Sequence, residues 1–467
     1  MMTYADQMIS WLSDLGYTHC FFVSGGNSMH LLNSARQKMV CVPTVHEVSA
    51  GIAAEYFNES QLSVGRAFVL VTAGPGLTNL ITAIAGAFLE SRDLLVIGGQ
   101  VKSSDLSNAG LRQRGIQEVN GVEIAMPIAK SVRRIEQPIS KSDFCGLVRS
   151  GFTDRKGPIF LEVCLDVQGA PAISESALKV EPQSTRETQG SATQQSLDKV
   201  ASLISKSKRP VLLIGGGVSR ASFAKILPQI RKSSMPIMTT WNGADRIGAD
   251  DLLFFGRPNT WGQRSSNLIL QSADLVLAIG TRLGLQQTGF NWQQFVPKGD
   301  VIQVDIDQSE LTKGHPKVLV SICADAAQFL EQVFEPSRPF PNWSNWVNLA
   351  RNVRDQVHLS ESVNGHFPDF LNPYDFVLRL SEICDNTDTV VPCSSGGAFT
   401  VMMQAFNQKS GQVLITNKGL ASMGYGLAGA IGASLARRGR RTVLVEGDGG
   451  FSQNLQELAT VKVQKLN

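Results

Sequence analysis

An α/β fold of three doubly wound parallel-sheet domains is expected, and three observations predict it. Apolar runs of strand length alternate with amphipathic helical stretches along the chain. Glycine pairs and triplets follow several of those runs, where a parallel strand turns into its helix. The length of 467 residues, set against a typical domain of ~150, gives about three domains. The division read from the sequence is a first domain at 1–183, a polar linker at 184–196, a middle domain at 197–334, a second linker containing Pro336, Pro339, Pro341 and Pro368 at 335–372, and a last domain at 373–467.

Residues 3–15 have helical spacing, with Met8, Ile9 and Leu12 on one side, and Gly16 closes the helix. A short strand at 20–23 ends in Ser24-Gly25-Gly26. The order returns after Pro373, with a helix at 374–384, a strand at 389–392 and then Ser395-Gly396-Gly397. Tyr4 and Tyr374 lie about 370 residues apart, as do the two glycine pairs, so this reads as an internal repeat of domain scale. A strand at 41–45 ends at His46-Glu47 and feeds a helix carrying Ala50, Ala53 and Ala54. A strand from Val69, the turn Gly74-Pro75-Gly76, then Asn79 and a helix at 80–89 precede another strand at 94–97. In the middle domain an amphipathic helix at 197–204 leads to a strand at 211–214 and Gly215-Gly216-Gly217, with further strands at 274–279 and 301–306. Last comes a strand at 442–445, Gly447-Asp448-Gly449-Gly450, and a helix at 455–463.

Composition removes whole classes of function. Charged residues are 18% and apolar residues 43%, which is not a disordered polyelectrolyte. A net charge of +3 makes no case for nucleic acid or an anionic membrane surface as partner. No apolar run approaches the ~20 residues that span a bilayer. Asp6 and Asp14 on the first helix argue against a signal peptide. The seven cysteines are scattered without a CxxC pair, which suits a reducing cytoplasm and not a structural zinc site. Gly is over-used, 43 of 467, about 9% against a usual ~7%.

Four strand ends carry chemistry. In an open parallel sheet, ligands lie beyond the carboxyl ends of the strands, where glycines let backbone N–H groups approach an anion. Asp448 in its glycine-rich turn adds a hard oxygen suited to Mg²⁺, so that corner reads as a metal–diphosphate cradle. Taken alone, it also fits a strand–helix corner with a capping Asp. Glu47 precedes a helix of small residues and is expected to be poorly solvated, with a raised pKa; alone, it also fits a helix-capping Glu. The third element is the Gly74–Gly76 turn with Asn79. The fourth is Met423 among the glycines of 419–426, where a methionine is most often core filling.

In this order and spacing the elements resemble the thiamine-diphosphate-dependent decarboxylases and carboligases, acetolactate synthases in particular. The resemblance runs over the whole chain and rests on HE at 46–47, TAGPGLTN at 72–79, IQE at 116–118, GLASMG at 419–424 and GDGGFSQNLQELAT at 447–460. It implies that Glu47 hydrogen-bonds N1′ of the cofactor's aminopyrimidine and so favours loss of the thiazolium C2 proton. It implies that Gln117 lies near C2, that Met423 holds the cofactor bent, and that Asp448 ligates Mg²⁺ on the diphosphate. Gly25, Gly26, Gly74, Gly76, Asn79, Gly396, Gly397, Gly447, Gly449 and Gly450 would line the cofactor. The implied activity is decarboxylation of a 2-oxo acid, pyruvate foremost, and transfer of the two-carbon acyl unit to an acceptor. The implied assembly is a homodimer or tetramer with the site between subunits, the first domain of one chain facing the last domain of another. The middle domain resembles the flavin-binding domain of the same enzymes, which would lay FAD along Gly215, Gly216, Gly217, Gly262, Arg282 and Asp305.

Three departures from the pattern concern the acceptor and the diphosphate. Gln286 stands where acetolactate synthases carry an Arg that meets the second 2-oxo acid, and losing that cation costs on the order of 1.5–3 kcal/mol of recognition. Ile116 replaces a Phe, and Gly397-Ala398 replaces a Gln-His pair. These changes bring the resemblance closest to flavin-containing carboligases that add an acetyl unit to a nucleotide-linked keto sugar. A plain acetolactate synthase is the alternative. The family's Asn ligand to Mg²⁺ falls roughly 25 residues beyond Asp448, past Asn467, so the last domain is expected to be incomplete here. That leaves a third reading, an inactive chain that only binds or pairs with a subunit.

Overall fold

Thr3 opens the first helix, Tyr4–Asp14, with a reciprocal cap: its hydroxyl accepts from the Asp6 N–H while the Asp6 carboxylate accepts from the Thr3 N–H. Met8, Ile9 and Leu12 are fully buried, as the spacing predicts, and Gly16 ends the element at φ 85°. The computed structural model describes residues 2–60, 65–107, 110–174, 191–365, 367–393 and 395–467. The boundary expected at 183 and the expected linker over 184–190 lie outside the described residues. By their contacts the residues fall into two units, Met1–Thr185 with Thr389–Gly396 and Ile415–Asn467, and Arg186–Asp388 with Gly397–Leu414.

The first unit is built on a six-stranded, all-parallel sheet. Its strands are β1 (Tyr17–Phe22), β2 (Val40–Pro43), β3 (Arg66–Val71), β4 (Leu94–Gln100), β5 (Ser131–Ile135) and β6 (Pro158–Cys164), in the order β2-β1-β3-β4-β6-β5. Phe68, Val69 and Leu70 pair with Leu95, Val96 and Ile97, so the central strands are apolar on both faces, as a doubly covered parallel sheet requires. One face packs on Tyr4–Asp14 and the helix Lys141–Ser150. The other packs on the helices Glu47–Ser60 and Ile81–Leu89 and on the helix Tyr425–Ala436.

The second unit holds a five-stranded parallel sheet. Its strands are β7 (Pro210–Ile214), β8 (Ile237–Thr239), β9 (Leu275–Ile279), β10 (Asp300–Asp305) and β11 (Val320–Cys323), ordered β11-β10-β9-β7-β8. Late in the chain, β12 (Thr389–Pro392) pairs in parallel with β14 (Thr442–Val445), both in the first unit, while the short β13 (Val413–Leu414) belongs to the second. The expected helix at 197–204 is longer, Gln194–Lys206, because Thr193 caps it through the Ser196 N–H. Residues 335–372, expected as a linker, contain the helix Ser344–Gln356. Trp343, Trp346, Val347 and Ala350 bury it in the second unit's core, and the two indole N–H groups donate to the carbonyls of Ser207 and Pro210. Two tryptophans with satisfied N–H groups anchor a segment that proline content marks as connecting chain.

Both copies of the internal repeat form a helix and a strand, Tyr4–Asp14 with β1 and Pro373–Ile383 with β12. They bury differently: the first helix sinks seven residues into its core, the second only Val377 and Ser381. The expected helix at 455–463 is broken into Asp448–Gln453, a single turn at Leu455–Glu457, and Leu458–Gln464. Among the described residues no helix is long and apolar enough to cross a membrane.

Candidate active site

Glu47 is the first residue of the helix Glu47–Ser60, directly after the turn that leaves β2. Its Oε2 accepts a hydrogen bond from Asn79 Nδ2 at 3.0 Å, which joins two of the four elements singled out from the sequence. The expectation that Glu47 is poorly solvated is corrected: the residue is only half-buried. The small residues of its helix serve a different contact. A Cβ on Gly432 would lie 1.9 Å from the Ala53 carbonyl oxygen, and one on Gly429 would lie 2.7 Å from the Tyr56 ring. The small residues therefore admit a second helix against the flank of the first, and leave its start open.

The Gly74 turn holds the next candidate. Gly74 has φ 65°, and a Cβ there would lie 2.4 Å from the carbonyl oxygen of Gln117, so the turn is pressed against the Gln117 backbone. Gln117 itself has φ 60°, and its neighbour Ile116 is 85% exposed. Glu118 fixes the loop from behind: its carboxylate accepts from the N–H groups of Ser107, Arg114 and Gly115 and from the Ser107 hydroxyl. Burial would raise its pKa, but these four donors bring it down to about 2. Gly76 lies against Val71 and Thr72, and Gly25 against Thr72, whose hydroxyl accepts from the Asn27 N–H. A Cβ on Gly26 would meet nothing.

At the other end of this unit, β14 runs into Gly447 and the helix Asp448–Gln453. Asp448 is exposed, and a Cβ on Gly447 would meet nothing within 4 Å. Met423 is 52% exposed, so it does not fill a core, and its sulfur lies 3.7 Å from where a Gly449 Cβ would be. Gly450 packs on Glu446. Glu446 accepts from the N–H groups of Gly426 and Leu427, which open the helix Tyr425–Ala436. Burial pushes the Glu446 carboxyl up from its usual value, with those two donors opposing.

Two residues not singled out from the sequence join the two ends. Asn454 accepts from the Ser49 hydroxyl at 3.1 Å and donates to the Gly424 carbonyl at 2.6 Å, linking the helix begun by Glu47 to the loop of Met423. Glu457 is fully buried and accepts from the backbone N–H groups of Val45 and His46. Both lie in the GDGGFSQNLQELAT stretch, but nothing local marks their partners Ser49, Val45 and His46, which are more than 400 residues away. Glu47, Asn79, Gln117, Met423 and Asp448 thus lie in one unit, and the chain Ser49–Asn454–Gly424 ties its two ends together. Gly396 also belongs to this unit and has φ 77°, whereas Gly397 falls in the other.

In the second unit the expected flavin residues collect at the carboxyl ends of three adjacent strands: Gly215 to Gly217 after β7, Arg282 after β9, and Asp305 at the end of β10. Part of that glycine signal is packing. A Cβ on Gly215 would lie 2.1 Å from the Gly280 carbonyl oxygen, one on Gly217 2.9 Å from Gly280, and one on Gly262 2.5 Å from the Arg257 carbonyl oxygen. Gly216 lies against Asn242. Arg282 and Asp305 are half-buried, and Asp305 accepts from the Asp307 N–H. Gln286 is half-buried in the short helix Leu285–Thr288, and its carbonyl accepts from the Thr260 N–H. Among the described residues no group of three or more His, Cys, Asp or Glu is arranged to hold a metal, and Asp448 Oδ1 accepts from the Gly449 N–H at 2.8 Å.

Comparison with known proteins places the chain in a family. Residues 2–124 match the family described as "Thiamine pyrophosphate enzyme, N-terminal TPP binding domain", 197–333 its central domain and 395–467 its C-terminal TPP binding domain. The chain is 30% identical to the acetolactate synthase isozyme 1 large subunit of Escherichia coli (strain K12), over 100% of this chain and 80% of that protein. It is 29% identical to a probable acetolactate synthase large subunit of Methanocaldococcus jannaschii, over 98% of this chain and 77% of that protein. It is 28% identical to the chloroplastic acetolactate synthase 1 of Oryza sativa subsp. japonica, over 99% and 71%. Three matched domains in family order, together with this identity over the whole chain, show that it belongs to the thiamine-pyrophosphate-dependent enzymes of acetolactate synthase type.

Proposed function

We propose that the chain decarboxylates a 2-oxo acid, pyruvate foremost, and passes the two-carbon acyl unit to an acceptor other than a second 2-oxo acid, a nucleotide-linked keto sugar being the class suggested by Gln286. The observation that carries the carboligase reading is the Asn79–Glu47 hydrogen bond in the same unit as the Met423–Asp448 turn. The residues fit the cofactor. Oε1 of Glu47 has no partner among the described residues and is half-open to a ring nitrogen. Asp448 is exposed beside a glycine with free space around it, which suits Mg²⁺ and a diphosphate. Met423 stands out beside Gly449 as a hydrophobic support.

When bound, thiamine pyrophosphate supplies the electron sink that decarboxylation needs. In this reading Glu47 would share a proton with the pyrimidine N1′, Asn79 would fix the direction of that carboxyl, and Gln117 would lie near the reacting carbon on a loop pinned by Glu118. FAD held along Gly215 to Gly217, Gly262, Arg282 and Asp305 belongs to the same proposal, as does a cytoplasmic location, favoured by seven scattered cysteines without a CxxC pair. In a homodimer or tetramer the faces that meet within one chain, Glu47–Ser60 and Tyr425–Ala436, are exchanged between copies.

Isothermal calorimetry with thiamine pyrophosphate and Mg²⁺, followed by pyruvate turnover with and without nucleotide keto sugars, tests the activity. Transfer to the sugar with little acetolactate supports the proposal. Efficient acetolactate formation with the sugar untouched selects the plain synthase, and no cofactor binding selects the inactive, subunit-pairing chain. Mixing Glu47→Ala with Asp448→Asn protein tests the exchange: activity returns where the site forms between copies and stays lost where it forms within one chain.

A further inference from the structure

Cys20 and Cys41 occupy the same register on β1 and β2, directly paired across parallel strands. Neighbouring strands lie ~4.8 Å apart, inside the ~4.4–6.8 Å that a disulfide accepts between its Cα atoms. Paired residues of parallel strands face the same side, and both cysteines pack into the hydrophobic layer beneath the helices Tyr4–Asp14 and Met29–Lys38. β2 is the edge strand of the sheet, so it can shift slightly toward β1 without breaking a ladder on its other side.

The two thiols are unlike. Cys20 is fully buried, whereas Cys41 is partly exposed. A hydrogen bond from Cys20 draws the Cys41 thiol below its usual value against the opposing effect of partial burial. Burial holds the Cys20 thiol well above its own. A partly exposed, more readily ionised thiol paired across the strands with a buried one is the arrangement of an attacking and a resolving cysteine.

We propose that Cys20 and Cys41 are a redox modification site that closes to a disulfide across β1 and β2 when the protein meets a peroxide. Cys41 gives up its proton and its sulfur attacks one oxygen of hydrogen peroxide, the O–O bond breaks, the leaving hydroxide takes up that proton as water, and Cys41 becomes a sulfenic acid. The Cys20 sulfur then attacks the Cys41 sulfur, the S–O bond breaks, and the Cys20 proton leaves with the departing hydroxide as water. Two thiols and one peroxide thus give one disulfide and two waters, with sulfur oxidised and peroxide oxygen reduced. The bond ties β2, which runs into the His46–Glu47 turn, to β1, which runs into Gly25-Gly26. The inference does not depend on which substrate the enzyme takes.

The test is stoichiometric hydrogen peroxide on the full chain, followed by alkylation under denaturing conditions and mass mapping without reductant. Alkylatable thiols, seven before treatment, should fall by two, with a peptide pair linking Cys20 to Cys41 that dithiothreitol dissolves. In Cys20→Ala, Cys41 should lose its resolving partner and accumulate as sulfenic acid, passing to sulfinic acid when a second equivalent of peroxide is added. Cys41→Ser should keep Cys20 reduced. Linked peptides through other cysteines, sulfinic Cys41 in the unaltered protein without a link, or no change at either residue would overturn the proposal. The peptide map of the unaltered protein decides the matter even if a variant fails to fold.

Discussion

The Tyr425 hydroxyl donates to Oε2 of Glu55 at 2.8 Å, and Arg92 grips Oε1 of the same carboxylate at 2.8 Å. Asn417 Nδ2 adds a third donor to Glu55, and Arg92 also donates to the Thr416 carbonyl. Glu55 is 0% exposed, on the helix that Glu47 begins, and Arg92 is buried with it. One buried carboxylate therefore ties the first domain's helix to the segment 416–425 that carries Met423. Arg92→Met removes one charge and strands the other, and should lower stability by ~3–5 kcal/mol. Glu55→Gln keeps the shape and most partners and should cost less, ~1–3 kcal/mol. Chemical denaturation followed by near-UV circular dichroism reads both; equal, negligible losses would show the network to be idle.

Helix contact at Ala53 admits no side chain on its partner. Gly432→Ala places a methyl 1.9 Å from the Ala53 carbonyl oxygen, so the helices must part. A loss of ~1–3 kcal/mol is expected, whereas Gly439→Ala, where a Cβ meets nothing, tests the separate cost of a φ of 81°. Differential scanning calorimetry of the two variants separates crowding from backbone strain.

Glu118 should make the Gln117 loop acid-sensitive. Its carboxyl falls from the usual 4.5 to about 2 in the fold, because four donors offset the rise that burial imposes. A depressed folded pKa means stability that is present above about 4.5 and lost as pH falls toward about 2. Glu118→Gln cannot gain that stability. The stability difference between the two proteins should therefore be full at neutral pH and shrink through the window below about 4.5. A pH-independent difference would mean that the loop is held by something else.

Gln286→Arg should restore a cation for the carboxylate of a second 2-oxo acid. A gain of ~1.5–3 kcal/mol in recognition corresponds to roughly a 10–100-fold rise in acetolactate formation at low pyruvate. Unchanged acetolactate kinetics would remove Gln286 from the substrate site.

Local sequence determined the strand ends and the turns that leave them. The glycine turns, the Glu47 helix start, the Asp448 corner and the parallel α/β pattern all come from short-range periodicity and from turns that need glycine. Fold class and most strands were legible because those signals lie within a few residues of one another. The surroundings of these strand ends were decided in three dimensions. The small residues after Glu47 read as a desolvated pocket, but the structure spends them on the helix Tyr425–Ala436 and leaves Glu47 half open. Met423 reads locally as core, and it is exposed. Glu55 was not singled out from the sequence; in the fold Arg92, Asn417 and Tyr425 close on it, the last from 370 positions away. Asn454 and Glu457 carry no local signal because their partners, Ser49, Val45 and His46, are over 400 residues distant. A residue's neighbours along the chain set its backbone conformation, but the dielectric and the hydrogen-bond partners around its side chain come from segments that meet it when the sheets and helices pack.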